Sequence, residues 1–305
     1  MNYLSQFYAV YGSLLNFIGI NSLLALSLYV TLSAGQLSLG NAAFAGIGGY
    51  TAGILTVNFN APFLVSLAAG SLFAGLAGLV LGLPVLRLRG VFLAMATLSF
   101  GEVVRIVAVN LTITGGAEGL IGIPNKTKTW FIYLVLVLVS FFLSRLRWSR
   151  LGWGFESIRG DETAAAAMGV NTTYYKTIAF TIGALIAGLA GAMYAHLNFL
   201  ITPREFGFSM AVQLLCYNIV GGMRVWYGPI LGAMLLTALP EILRGIGIVA
   251  GPVRLCVNGV ILLLVILFLP NGLVSLFPTR KGRGKVASNL LSPKETKDNL
   301  SPEKG

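Results

Sequence analysis

Long apolar runs, broken at intervals by short clusters of Gly, Pro and charged residues, dominate the chain. A helix needs about 20 mostly apolar residues to cross a bilayer. Windows of that kind fall near 13–32, 37–57, 63–84, 91–109, 129–146, 177–198, 209–222, 229–243 and 253–270. They predict an all-α, polytopic membrane bundle of about nine spans (eight to ten) within residues 1–278. The windows 209–222 and 229–243 are short, which predicts half-spans or one broken unit. From Thr279 the apolar pattern stops. Residues 279–305 are rich in Lys, Ser, Pro and Asn and predict a disordered basic tail, whose TRKGRGK segment would sit against anionic lipid headgroups.

Small residues recur at four-residue spacing inside two spans. Gly70, Ala74, Gly78 and Gly82 share one helical face; Gly183, Ala187, Gly191 and Ala195 share another, with Ala184, Gly188 and Ala192 beside them. Such stripes let backbones approach closely in lipid, either within one subunit or between subunits.

Composition agrees with the pattern. Only 10% of the 305 residues are charged and 56% are hydrophobic, whereas a water-facing domain carries about 25% charged residues. This excludes an ordinary soluble enzyme and a disordered chain. The net charge of +11 has no basic stripe interleaved with aromatics, so it does not read as a nucleic-acid surface. It reads as topology. With the C-terminus cytoplasmic and the N-terminus outside, fifteen Lys and Arg fall on the inner side and five on the outer. The opening MNYLSQFYAV lacks a basic n-region and an A-x-A site and does not read as a cleaved signal peptide. Cys216 and Cys256 are isolated and His196 is the only histidine, so no metal site or Ser-His-Asp triad is expected; a packing role suits His196.

Four stretches do not fit a plain bundle. In Ser33–Gly53, Gln36, Ser38 and Asn41 lie at membrane depth among glycines, so they should face protein or a water-filled path. A broken helix lining a translocation path and interhelical glue both satisfy this. In Thr97–Ile106, Glu102 and Arg105 lie at i,i+3 and can pair near mid-membrane, lining the path or joining two helices. Thr114, Gly115, Gly116 and Gly119 belong to TGGAEGLIGIP, an ordered external loop without a phosphate-loop lysine. The inner loop, about 147–176, carries ESIRGDETAAAAMGV. Gly160 breaks the chain, Asp161 caps, Glu162 sits in a first turn and Gly169 ends two turns of Ala-rich helix. A helix so short is marginal alone and needs a surface to dock on.

Taken in order, these motifs resemble the inner-membrane permeases of branched-chain amino acid ABC importers, the LivM type, from about Ser33 to Pro270. GQLSLGNAAFAGIGGYTA resembles the early-span signature, FLAMATLSFGEVVRI that of the fourth span, and SIRGDETAAAAMGVNTTYYKTIAF the coupling loop. The resemblance implies a bacterial inner-membrane subunit that hydrolyses nothing itself. It implies two ABC ATPase subunits that use the ATP, a second homologous permease of the LivH type, and a periplasmic amino-acid-binding protein. Arg159, Gly160, Asp161, Glu162, Ala165, Met168, Gly169 and Val170 would form the ATPase-coupling helix. The cargo would be branched-chain or other neutral amino acids; neighbouring subfamilies carry urea or short amides. After IVGG, MRVWYGPILGA departs from the family's Gly-Ser-aromatic-Gly-Pro turn by adding Arg224 and Trp226. An ion-coupled secondary transporter would need several membrane carboxylates, and only Glu102 and Glu241 qualify. A membrane-embedded enzyme has even less to work with.

Overall fold

A computed structural model describes residues 3–88, 90–223, 225–245, 259 and 272–276. The helices are α1 (Tyr3–Ser33), α2 (Asn41–Phe59), α3 (Phe63–Val85), α4 (Val91–Asn110), α5 (Thr129–Arg147), α6 (Arg150–Gly160), α7 (Glu162–Ala167), α8 (Thr172–Asn198), α9 (Phe208–Gly221) and α10 (Gly228–Gly245). Six of them, α1 to α5 and α8, are long and apolar enough to cross a membrane. The windows 209–222 and 229–243 correspond to the shorter apolar helices α9 and α10. The ninth expected span, apart from Gly259, and the tail 279–305 lie outside the described residues.

The centre of the bundle is α8 seated against α2, α3 and α1. The small residues of α3 meet the Ala184, Gly188 and Ala192 row of α8 inside one chain, Gly78 against Ala184 and Ala74 against Gly188, and α2 packs on α8 as closely. A Cβ on Gly48 would collide with the backbone of Gly188, and one on Gly191 with the Ala45 carbonyl. The backbones are therefore closer than any side chain permits, the packing that replaces hydrophobicity in lipid. Larger side chains fill the space beside this seam: Phe44 meets Phe180 edge-on, centroids 5.4 Å apart. Outward, Leu72, Phe73, Leu76 and Val80 of α3 and Val137, Leu138 and Phe141 of α5 are exposed, as hydrocarbon-facing positions are.

His196 has a packing role. It is fully buried in the last turn of α8. Its Nδ1 lies 2.9 Å from the Ala192 carbonyl, which can only accept, so Nδ1–H donates there. Nε2 faces the Thr56 hydroxyl at 3.0 Å, and Phe63 packs edge-on against the ring. Cys216 is a half-buried free thiol in α9. Just past the end of α8, two short strands, β1 (Leu120–Ile121) and β2 (Leu200–Ile201), pair antiparallel with Leu120 opposite Ile201.

Candidate functional site

Two elements enter the bundle and stop short of a full crossing. After β2 the chain forms a 3-10 turn over Pro203–Phe206, where the Thr202 N–H donates to Glu205 Oε2 at 3.3 Å. Phe206 packs on Gly46 and Gly49, well inside α2, and edge-on against Tyr50 and Tyr194. Helix α9 thus starts within the bundle. Its 14 residues cover about 21 Å at 1.5 Å per residue, short of the roughly 30 Å hydrocarbon core. This is the half-span that the short window 209–222 predicts.

The second interrupted element leads into α2. Residues 34–40 leave the helical path after α1, with Gly35 at φ 72°. The Leu39 N–H donates to Thr97 Oγ1 at 3.0 Å, and the Gly40 N–H to Ser38 Oγ at 3.2 Å. Asn41 Nδ2 donates to Ser27 Oγ at 3.1 Å. Gln36, Ser38, Asn41 and Thr97 are all buried within this chain. The Gln36 amide has no protein partner for either polar atom among the described residues. An unsatisfied buried amide costs about 1–3 kcal/mol, so the segment holds a polar cost that plain helix packing would avoid.

Glu102 and Arg105 complete the region. Arg105 Nε donates to Glu102 Oε2 at 2.7 Å, and the side chains keep 33% and 38% exposure for Arg105 and Glu102. The pair abuts Gly207, where α9 begins. A narrow slot lined by Leu39, Ala42, Leu98, Gly101, Phe208 and Ala211 runs beside Glu102. An ion pair this exposed on a membrane helix does not face lipid at tolerable cost. Among the expected path residues, the structure leaves Glu102 and Arg105 partly exposed beside the start of α9 and buries Gln36, Ser38, Asn41 and Thr97.

The expected coupling residues form the turn between α6 and α8. Asp161 Oδ1 accepts from the Thr163 N–H at 2.8 Å, the Thr163 hydroxyl at 2.6 Å and the Ala164 N–H at 3.1 Å. These donors, the Thr163 hydroxyl first, hold its pKa below the ordinary carboxylate value. Glu162 Oε1 accepts from Lys176 Nζ at 2.7 Å, with Lys176 only 8% exposed. Ala165 is buried, whereas Met168 is 84% exposed. Gly169 at φ 83° ends the helix, and the Val170 N–H donates to the Ala165 carbonyl. Helix α6 occupies part of the stretch that the apolar pattern reads as inner loop. Its signal is present: Ser149 as N-cap, then Leu151, Phe155 and Ile158 on one face.

Arg159, in the last turn of α6, joins this unit to both interrupted elements. Its Cα stands against Gly35, where a Cβ would come within 3.2 Å, and its Nη1 donates to the Met223 carbonyl just beyond α9 at 3.1 Å. Thr114, Gly115, Gly116 and Gly119 lie at the other end. Thr114 Oγ1 lies 2.6 Å from the Ala108 carbonyl and 2.7 Å from that of Leu111. The three glycines have positive φ, and Gly119 tucks against the Ile201 carbonyl. Of the departure after IVGG, Arg224 lies outside the described residues, and Trp226 stacks edge-on against Tyr227. Among the described residues no His, Cys, Asp and Glu cluster could hold a metal ion.

The chain is 34% identical over 286 residues to the high-affinity branched-chain amino acid transport system permease protein LivM of Salmonella typhimurium and to that of Escherichia coli K12. The matches cover 82% of this chain and 66% of each relative, so the chain spans just under two thirds of their length. It is 26% identical, over 60% of its length and 56% of the relative's, to the autoinducer 2 import system permease protein LsrC of Yersinia pestis. No solved structure matches it. The family profile described as branched-chain amino acid transport system / permease component matches residues 10–267, and the chain belongs to that family.

Proposed function

We propose that this chain is the transmembrane permease subunit of an ATP-driven importer for branched-chain or other neutral amino acids. It would reside in the inner membrane of a bacterium as about nine spans (eight to ten), N-terminus outside and C-terminus cytoplasmic. Two ABC ATPases, a second homologous permease and a periplasmic binding protein would complete the machine, with ATP bound and hydrolysed by the ATPases alone. Family membership supports the class of function. The observation that carries the mechanism is the placement of Arg159, which touches the base of both interrupted elements.

Helix α7 is six residues long, far below the length at which a helix stands alone. It persists because the Asp161 cap, the Glu162–Lys176 pair and buried Ala165 fix it to its own chain. Met168 and the exposed alanines then offer a small, firm knob to a partner. A partner that binds α7 differently in two states can shift the permease between two conformations. Displacement of α7 reaches α6, then Gly35 and Met223 through Arg159. Those residues end the segments that carry Thr97's partner Leu39 and the start of α9 beside Glu102 and Arg105. The path would open on that side. Its largely apolar walls suit a zwitterion with an apolar side chain, and the exposed ion pair offers the charges such a solute carries.

The test is uptake in cells lacking this chain. Leucine uptake should fall, recover on complementation, and require ATP. Unchanged uptake of leucine, alanine and proline together would overturn the substrate assignment. Uptake that survives ATP depletion and collapses with the proton gradient would overturn the ATP-driven assignment.

A further inference from the structure

At the end of the bundle that carries α6, a cavity of about 460 Å3 opens between α1, α5 and α6. Its walls divide by chemistry. Leu143 and Leu146 of α5 and Phe155 of α6 make it apolar on one side. Arg147, Arg159, Glu156 and the Ser33 and Tyr29 hydroxyls make it polar on the other. Tyr29 is only 8% exposed. Its hydroxyl has no hydrogen-bond partner among the described residues, and Arg147, Arg159 and Glu156 line the same cavity. Arg147 is likewise without an ion-pair partner among the described residues. Tyr29 lines the open cavity, so its hydroxyl is available to donate to an acceptor bound there.

The depth of the cavity says what kind of acceptor. It lies where α5 turns into α6. Trp148 and Trp153 are both exposed there, and Arg145 stands 5.9 Å over the Phe141 ring. Exposed tryptophans and arginines at the end of a membrane helix mark the headgroup layer. The charges sum to one positive, from two guanidinium groups and one carboxylate. Phosphate oxygens accept only, and guanidinium meets them with paired donors.

We propose that this cavity binds the phosphate headgroup of an anionic phospholipid. Arg147, Arg159 and the Tyr29 hydroxyl donate to the phosphate. The leucines and Phe155 cover the first methylenes of an acyl chain, and Glu156 accepts from a polyol headgroup such as glycerol. Occupancy would brace α6 against α1 and α5. On the reading that Arg159 transmits motion from α7, the lipid would set how firmly that motion reaches Gly35 and Met223.

The experiment is native mass spectrometry on the full-length chain with its co-purifying partners, delipidated in detergent and titrated with phosphatidylglycerol or phosphatidylcholine. Phosphatidylglycerol should give one saturating adduct at concentrations where phosphatidylcholine gives none. Arg147→Gln should weaken that adduct about tenfold, as expected for one charge-assisted contact. Tyr29→Phe should weaken it less, and Arg147→Lys should restore part of the loss. Lys126→Gln, at the other end of the bundle, should change nothing. Equal retention of the two lipids would overturn the site. So would a phosphatidylglycerol adduct unchanged in both Arg147→Gln and Tyr29→Phe chains of normal elution and mass. Displacement of the adduct by millimolar inorganic phosphate would assign a free phosphate instead and overturn the lipid. The measurement reads binding only, so it stands whether or not the chain imports amino acids.

Discussion

Replacing Glu162 by Gln should melt α7 while leaving the bundle folded. Glu162 and Lys176 are paired at 2.7 Å, but unequally buried: Lys176 keeps 8% side-chain exposure and Glu162 25%. Removing the carboxylate strands an ammonium that reaches water poorly. Breaking a fully buried pair costs about 3–5 kcal/mol. Screening of the more exposed Glu162 lowers this to about 1–3 kcal/mol. A helix of six residues has little stability of its own to absorb that loss. Amide exchange at Ala165–Met168 should therefore quicken by about tenfold to a hundredfold, with α8 unaffected. Lys176→Met should do less, because the remaining carboxylate can turn to water. Exchanging the two residues, Glu162→Lys with Lys176→Glu, should restore part of the protection. Hydrogen–deuterium exchange on the detergent-solubilised chain reads all three. Unchanged exchange in Glu162→Gln, or a larger effect in Lys176→Met, would show that this pair does not hold α7.

Other consequences follow from the same structure. Gly191→Leu should abolish accumulation of folded protein in membranes, because its side chain would enter the Ala45 backbone; fluorescence-detected size exclusion reports this, while Gly101→Ala, which meets only the Ala43 methyl at 3.8 Å, should be tolerated. Thr97→Val should lower the thermal midpoint by removing the acceptor of the Leu39 N–H, a loss of about 1–3 kcal/mol, and Thr97→Ser should not. Asp161 titrates below its ordinary value of 3.8, so its cap is fully present above that pH and is lost as pH falls through the lowered value. At neutral pH Asp161→Ala should speed exchange at Thr163 and Ala164, and Asp161→Asn, which caps without a charge, should not.

Much of this architecture is legible in the residues. The apolar windows place α1 to α5 and α8, and the four-residue spacing of Gly70, Ala74 and Gly78 anticipates a close seam. Asp161, Glu162 and Gly169 announce α7 because capping is local: its donors lie two and three residues away. What the sequence conceals is long-range. Nothing local tells that Lys176 turns back to Glu162, or that Arg159 reaches Met223, 64 positions on. Helix α6 hides behind its weak apolar character, since two of its eleven residues are arginines and three are glycines. The burial of Gln36 and Asn41 was equally out of reach, because a polar residue at membrane depth reads the same whether it faces a path or a neighbouring helix.

On the proposed function, α7 is the point at which a separate ATPase subunit pushes on this chain. The most direct measurement places a photo-cross-linker on Met168→Cys, the most exposed large side chain of that unit, in otherwise intact cells, and identifies the product by mass spectrometry. A cross-link to an ABC ATPase should form, with a yield that changes between ATP-bound and nucleotide-free states. Cross-links confined to lipid or to this chain itself, with the ATPases present, would contradict it.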